Sequence, residues 1–64
     1  MDIKIIEINE FYSAYHAKYL LPIKDEKNKI RIYFIDSFFN NQGNVELTIE
    51  NAKELINGLI EVTK

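Results

Sequence analysis

The sequence contains no cysteine, so neither a disulfide nor a cysteine-ligated zinc site can stabilise the fold. It contains only two glycines, which is too few for a phosphate-binding loop or a dinucleotide-binding fingerprint. The apolar runs are short and broken by charged residues, which argues against a membrane span or a signal-peptide core. These absences predict a protein with no cofactor and no membrane partner.

Neither sign of charge dominates the chain. Eight basic and ten acidic residues give a formal net charge of −2. The chain therefore lacks the positive field that draws proteins to a phosphate backbone, and its acidic excess is too small for a DNA mimic. Nucleic acid is accordingly an unfavoured partner.

The length of 64 residues predicts one small α+β domain over residues 1–64. A chain of this size buries only about 60% of its unfolded surface, so its core must be thin. Hydrophobic residues make up 47% of the sequence, and isoleucine, phenylalanine and tyrosine are favoured in strands. Without disulfides or metal, either very good packing or self-association has to stabilise such a domain.

The first part of the chain alternates apolar and polar residues and predicts two strands. One covers residues 3–8, and the second runs over residues 11–21 with a period of two. Asn9-Glu10 would form the turn between them. Asn-Glu is not a favoured hairpin sequence, so one bent strand over residues 2–21 stays open as an alternative. Pro22 is predicted to end the second strand because it has no N–H to donate.

Polar clusters at residues 24–28 and 40–44 predict two loops. Between them, residues 29–36 alternate in the pattern of a strand with one buried face, and residues 45–47 predict a further short strand. Phe38-Phe39 would either extend the strand at 29–36 or fold back over a sheet edge.

The hydrophobic period changes from two to that of a helix after Leu47. One stripe of this predicted helix carries the apolar residues Ile49, Ala52, Leu55, Ile56, Leu59 and Ile60. Thr48 is suited to the N-cap, and Glu50 lies in the first turn, where the helix dipole favours negative charge. Asn57-Gly58 could form a hairpin turn elsewhere, but the spacing of the apolar pairs by four favours the helix.

The predicted fold is therefore α+β with order βββ(β)α, a three- to four-stranded antiparallel sheet with one C-terminal amphipathic α-helix packed on one face. A two-residue turn at Asn9-Glu10 would place Ile8 opposite Phe11. The helix-covered side of the sheet would then hold Ile6, Ile8, Phe11, Tyr15, Tyr19, Ile30, Ile32 and Phe34. The other side would hold Ile3, Ile5, Tyr12, His16, Leu20, Tyr33 and Ile35. That second side is too apolar for free exposure unless loop residues such as Phe38 and Phe39 fold over it.

An uncovered sheet face rich in tyrosine and isoleucine is typical of a protein-protein interface. The expected partner or dimer interface consists of Tyr12, His16, Tyr33 and Ile35, with Phe38 and Phe39 at its rim. We therefore expect a non-catalytic inhibitor, adaptor or accessory protein that binds a protein partner and forms a homodimer. Abundant lysine, asparagine and isoleucine with a single arginine indicate an A/T-rich coding sequence, as in phages and mobile elements whose small proteins act on host enzymes or defence systems in the cytoplasm.

The second functional hypothesis is a small single-stranded nucleic-acid-binding module. It would stack bases on tyrosines and contact the backbone through Lys18 and Arg31. An enzyme is not expected, because His16, the only histidine, lies three residues from Ser13 and would point to the opposite face of a strand. Dispersed carboxylates without a neighbouring histidine predict no metal site.

Overall fold

The computed structural model describes residues 4–8 and 16–64. Its elements, in chain order, are β1 (Ile6–Glu7), β2 (Tyr19–Lys24), β3 (Ile30–Ile35), β4 (Asn41–Leu47) and α1 (Ile49–Val62). The strands form one four-stranded sheet in the order β1-β2-β3-β4, and every neighbouring pair is antiparallel. The predicted α+β fold, an antiparallel sheet followed by one C-terminal helix, is confirmed.

β3 lies between β2 and β4, and its position agrees with the prediction to within one residue at each end. β4 is longer than predicted, because it begins at Asn41 and takes in most of the polar cluster that was expected to be a loop. The turn before β4 is made instead by Asp36 and the residues that follow it. β4 forms an edge of the sheet, where the side chains of Asn44 and Glu46 can stay exposed to water.

Pro22 lies inside β2, so the prediction that it ends the second strand is wrong. It pairs with Ile32 of β3, whereas β1 pairs only with Tyr19 and Leu20. Among the described residues, no strand pairs with Pro22 on the side of β2 where β1 lies. A proline is tolerated in a strand at such a position, because its missing N–H interrupts no ladder there.

The pairing of β1 with β2 corrects the predicted register. Ile6 pairs with Leu20, and the Ile8 N–H donates to the Lys18 carbonyl at 2.8 Å. A turn at Asn9-Glu10 with Ile8 opposite Phe11 would pair Ile6 with a residue much closer in the sequence than Leu20. The predicted register is therefore wrong. Residues 9–15 themselves lie outside the described part of the chain.

Paired residues of antiparallel strands share a face, which defines two faces of this sheet. The Tyr19 face, as we call it, carries Tyr19, Leu21, Ile23, Arg31, Tyr33, Ile35, Asn44 and Glu46. The Phe34 face carries Ile6, Leu20, Pro22, Ile30, Ile32, Phe34, Val45 and Leu47. Tyr19 and Leu20 are therefore each on the face opposite to the one predicted, because a shift of one residue in register reverses every side chain.

α1 begins as predicted. The Thr48 Oγ1 accepts a hydrogen bond from the Asn51 N–H at 3.0 Å, and Glu50 lies in the first turn. At the other end, the Thr63 N–H donates to the Leu59 carbonyl at 3.1 Å. The helix contacts β4, yet none of its residues, all of which the structure describes, is buried. The helix therefore adds little buried apolar surface to the sheet.

Most strand residues of the described chain are half-buried rather than fully buried. Ala17, which precedes β2, is the one described residue whose exposed fraction reaches 0%. Such a core is thin, as expected for a domain of this length.

Candidate protein-binding surface

Residues 36–40, which connect β3 to β4 and which we call the aromatic loop, are organised by one carboxylate. The Asp36 Oδ1 accepts the backbone N–H groups of Phe38 and Asn40, both at 2.9 Å, and its Oδ2 accepts the Gln42 Nε2 at 2.7 Å. The backbone closes the turn as well, because Phe39 N donates to the Asp36 carbonyl and Asp36 N donates to the Asn40 carbonyl, both at 3.0 Å. The loop therefore holds its aromatic residues in a defined position.

The connection between β2 and β3, residues 25–29 or the charged loop, has the same construction. The Asp25 Oδ1 accepts the N–H groups of Lys27 at 2.9 Å and Lys29 at 3.0 Å, in the positions that Phe38 and Asn40 occupy in the aromatic loop. The Asn28 N–H donates to the Asp25 carbonyl at 3.1 Å. Both loops thus place their fourth residue in the same conformation.

That fourth residue has a left-handed backbone in each loop, with φ 64° at Asn28 and φ 64° at Phe39. Asparagine adopts this conformation readily, whereas for a bulky residue such as phenylalanine it costs roughly 1–2 kcal/mol. The charged loop thus has a residue suited to the position, and the aromatic loop has an unfavourable one. The backbone alone gives no reason for phenylalanine at position 39.

The side chain of Phe39 gives one reason for phenylalanine at this position. Its ring stacks on the ring of Tyr19, with centroids 5.3 Å apart and planes inclined by 7°. Phe39 nonetheless remains 70% exposed, and Phe38 beside it is 80% exposed. The two side chains therefore present a solvent-facing apolar tip at one end of the sheet.

An apolar cavity of about 190 Å³ lies on the Tyr19 face next to the aromatic loop. Its lining consists of Ile5, Tyr19, Leu21, Ile35 and Phe39. The loop thus folds back over part of this face, which was one of the two alternatives predicted for Phe38 and Phe39. It leaves an open apolar recess beside it.

The structure brings only some of the predicted interface residues together. Ile35 and Phe39 line the same cavity, and Tyr33 shares their face of the sheet in a half-buried position. His16 is exposed and lies ahead of β2 with φ 52°, so its assignment to a strand is wrong. Tyr12 lies outside the described residues.

Sequence reasoning missed Tyr19 and Leu21 as part of this surface. The signal that could have found them is the charged loop, since a tight turn around Asp25 sets Leu21 opposite Tyr33 and Tyr19 opposite Ile35. A register set by a turn at Asn9-Glu10 instead puts Tyr19 on the opposite face, which is wrong.

The two cations of the nucleic-acid hypothesis have partners within the protein. The Arg31 guanidinium contacts the Glu46 carboxylate, lies 3.7 Å from the Asp25 Oδ2 and donates to the Asn44 Oδ1 at 3.0 Å. The Lys18 Nζ lies 5.8 Å from the centroid of the Tyr19 ring. A phosphate would have to compete with two carboxylates for Arg31, which weakens electrostatic attraction at this site.

Hydrogen bonding lowers the pKa of both loop aspartates. The Asn40 N–H, followed by the Gln42 amide and the Phe38 N–H, holds the pKa of Asp36 below its ordinary 3.8, although desolvation acts in the opposite direction. The Lys29 N–H has the leading part in lowering the pKa of Asp25, again against desolvation. Both carboxylates are therefore ionised at neutral pH and serve as fixed acceptors.

Acid is expected to destabilise the protein through these two aspartates. Because their pKa values are lower in the folded chain than in the unfolded chain, their contribution is present above about pH 4 and is lost as the pH falls through the folded values. The free energy of unfolding, measured by urea denaturation between pH 2 and pH 7, should decrease over that acid range. Asp36→Asn should make the decrease shallower, because an amide does not titrate over this range. An Asp36→Asn profile parallel to that of the wild type would show that this carboxylate does not stabilise the loop.

The described residues contain no group of three histidine, cysteine, aspartate or glutamate side chains placed to hold a metal ion. The one helix in the described chain is not long and apolar enough to cross a bilayer. Comparison of the chain with protein-family models, with curated proteins and with solved structures finds no match.

Proposed function

We propose that this protein is a non-catalytic interaction protein that binds another protein through its aromatic loop and the adjoining apolar cavity. The observation that carries the proposal is the state of Phe39. A left-handed backbone at a phenylalanine costs stability, and 70% exposure of its ring leaves apolar surface in water. Folding alone would favour asparagine or glycine there, as at Asn28 in the charged loop. Binding of a partner supplies a reason for the aromatic residue.

The size and lining of the cavity favour a protein partner over a small ligand. Its volume of about 190 Å³ is smaller than the roughly 300–1,000 Å³ typical of small-molecule sites. It is instead suited to one apolar side chain from another protein, with Phe38 and Phe39 as neighbouring contacts. Exposed aromatic residues around such a recess are typical of the residues that contribute most to protein binding.

An inhibitor, adaptor or accessory protein acts by occupying a surface, so it needs a binding surface but no catalytic group. The composition that is typical of phages and mobile elements makes a host enzyme or a defence protein in the cytoplasm the proposed class of target. The alternative, a single-stranded nucleic-acid-binding module, is less well supported, because Arg31 is engaged by Asp25 and Glu46.

The proposal is tested by exchanging Phe39 for the residue that the charged loop uses. Phe39→Asn should change stability little, since relief of roughly 1–2 kcal/mol of backbone cost offsets the loss of about 0.5–1.5 kcal/mol of ring stacking. It should weaken partner binding by about 30-fold, the effect of losing a side chain worth about 2 kcal/mol at an interface. Affinity capture from native host lysate identifies the partner by mass spectrometry, and titration calorimetry with that partner measures the loss.

The matched control is Asn28→Gly, which changes the equivalent position of the charged loop and should leave binding unchanged. Equal partner affinity of the wild type and Phe39→Asn would contradict the proposal. Saturable submicromolar binding of mixed single-stranded oligonucleotides, weakened by Arg31→Ala, would favour the nucleic-acid alternative instead.

A further inference from the structure

We infer that a second copy of this chain pairs with the outer edge of β4, so that two four-stranded sheets join into one in a symmetric dimer. By the outer edge we mean the backbone of residues 43–47 on the side away from β3, where the described chain has no further strand. The inference goes beyond the proposed function, because it uses this edge and neither the aromatic loop nor the cavity beside Tyr19.

The hydrogen-bond ladder shows which backbone groups of β4 point outwards. The Asp25 N–H donates to the Lys29 carbonyl at 2.8 Å, which makes these two residues a bonded pair where β2 and β3 meet the charged loop. Bonded and non-bonded pairs alternate along an antiparallel ladder, so Ile32 directs its N–H and C=O groups towards β4. Its partner Val45 bonds back to β3, and the residue on either side of Val45 therefore directs its groups away from the sheet. These two outward-facing residues are Asn44 and Glu46.

Chain length prevents residues 9–15 from pairing with this edge. The Ile8 N–H is bonded to the Lys18 carbonyl beside β1 and β2, and Asn44 is level with Leu21, further along the strands. Neighbouring strands lie about 4.8 Å apart, and each residue advances about 3.3 Å along a strand. The straight path from Ile8 to the outside of β4 at Asn44 and back to Lys18 is therefore about 39 Å, whereas the Cα steps between Ile8 and Lys18 span at most about 36 Å.

Residues 1–3 and α1 leave the edge open as well. Residues 1–3 reach at most about 11 Å from Lys4, whereas the outside of β4 lies about 19 Å from β1. The backbone groups in the interior of α1 are bonded within the helix, so they cannot pair with a strand. Val45 is 40% exposed, and both of its neighbours in β4 are exposed. β4 also contains no lysine or proline, the residues that commonly protect an edge strand from pairing.

The regular part of β4 is suited to pairing with itself. Residues 43–47 pair with β3 without interruption, and Val45 is at their centre. A two-fold axis at Val45 places Asn44 of each copy opposite Glu46 of the other. Because these are the outward-facing residues, each such pair exchanges two backbone hydrogen bonds.

The same register matches the side chains, which favours a second copy over an unrelated strand. The Asn44 Oδ1 accepts the Arg31 Nη1 at 3.0 Å, so the Asn44 Nδ2 can donate to the Glu46 carboxylate of the second copy. Glu46 already contacts Arg31 and lies 3.3 Å from the Lys29 Nζ, so the contact brings in no unpaired charge. A fitting strand presents a carboxylate, a β-branched apolar residue and a carboxamide in that order, and residues 44–46 of an antiparallel copy supply it. A two-fold axis at Glu46 would instead place two carboxylates opposite each other, which is destabilising.

Sedimentation equilibrium of the full chain tests the inference. At about 200 µM, far above a micromolar dissociation constant, the wild type should have twice the 7.6 kDa mass of the single chain. Val45→Lys places like charges opposite each other at the two-fold axis and should return the mass to 7.6 kDa. Val45→Thr keeps the β-branched shape at the same position and should remain dimeric. A wild type at the single-chain mass, or a Val45→Lys protein that stays dimeric, would overturn the inference.

Amide hydrogen exchange of the wild type gives a second readout that needs no substitution. The N–H groups of Asn44 and Glu46 face solvent in the single chain and are bonded in the dimer, so their exchange should slow several-fold between about 20 µM and about 1 mM protein. The Glu26 amide of the exposed charged loop is the reference and should exchange at the same rate throughout. Exchange at Asn44 and Glu46 that does not depend on concentration, in a protein that sediments as a dimer, would place the interface elsewhere.

Phe39→Asn separates this inference from the proposed function. It should weaken binding of the captured partner while the sedimentation mass stays that of the dimer. Loss of the dimer in Phe39→Asn but not in Val45→Lys would move self-association to the aromatic loop and would overturn the assignment to β4. A dimer with no captured partner would support the pairing of β4 and would remove the proposed function.

Discussion

Replacing Ala17 by aspartate is expected to leave the chain largely unfolded at neutral pH. Ala17 has an exposed fraction of 0%, so the new carboxylate would be placed away from water. Burying an unpaired charge costs several kcal/mol, and a chain of this length has a total stability of only about 3–10 kcal/mol. The substitution therefore removes most or all of the stability.

Far-ultraviolet circular dichroism and urea titration measure this effect. His16→Asp is the matched control, because it adds the same charge one residue earlier at an exposed position. His16 has φ 52°, a conformation that aspartate also adopts. The control should retain a cooperative unfolding transition. Ala17→Asp with the same urea midpoint as His16→Asp would show that Ala17 is not part of the core.

Substitution of the two glycines by alanine is expected to have opposite effects on stability. Gly43 lies in β4 opposite Phe34, beside the register shift between Phe34 and Ile35, and has φ 152°. A side chain at such a backbone position is strained, so Gly43→Ala should lower the free energy of unfolding by about 1–3 kcal/mol. The measurement is the urea midpoint at neutral pH.

Gly58 provides the control within the same chain. It lies in the middle of α1, and a Cβ added there would meet nothing within 4 Å. Gly58→Ala should therefore raise the free energy of unfolding by about 0.5–1 kcal/mol, because alanine is the better helix former. A neutral or stabilising Gly43→Ala would show that the β4 backbone relaxes at the bulge.

Sequence periodicity is sufficient to predict β3 and α1, because their sequence signals lie within each element. β3 alternates over its whole length, and α1 has both a stripe with helical spacing and a capping residue at Thr48. These signals depend on residues within one or two turns of each other, so they can be read without knowledge of the rest of the fold.

The register of β2 could not be obtained in the same way. Its pairing depends on the turn around Asp25, which joins residues on two strands, and not on the alternation within residues 11–21. Alternation gives two equivalent phases, and a shift by one residue exchanges the faces. Tyr19 was therefore placed away from Ile35, although the two residues pair and line one cavity.

The amino-acid sequence by itself determined that this protein has an antiparallel sheet and a capped amphipathic helix, because both follow from neighbouring residues. Only the tertiary structure decided that Phe39 occupies a left-handed position above Tyr19 and that Leu55, Ile56, Leu59 and Ile60 of α1 have exposed side chains. Both facts depend on how distant segments of the chain meet, and local periodicity carries no information about such contacts.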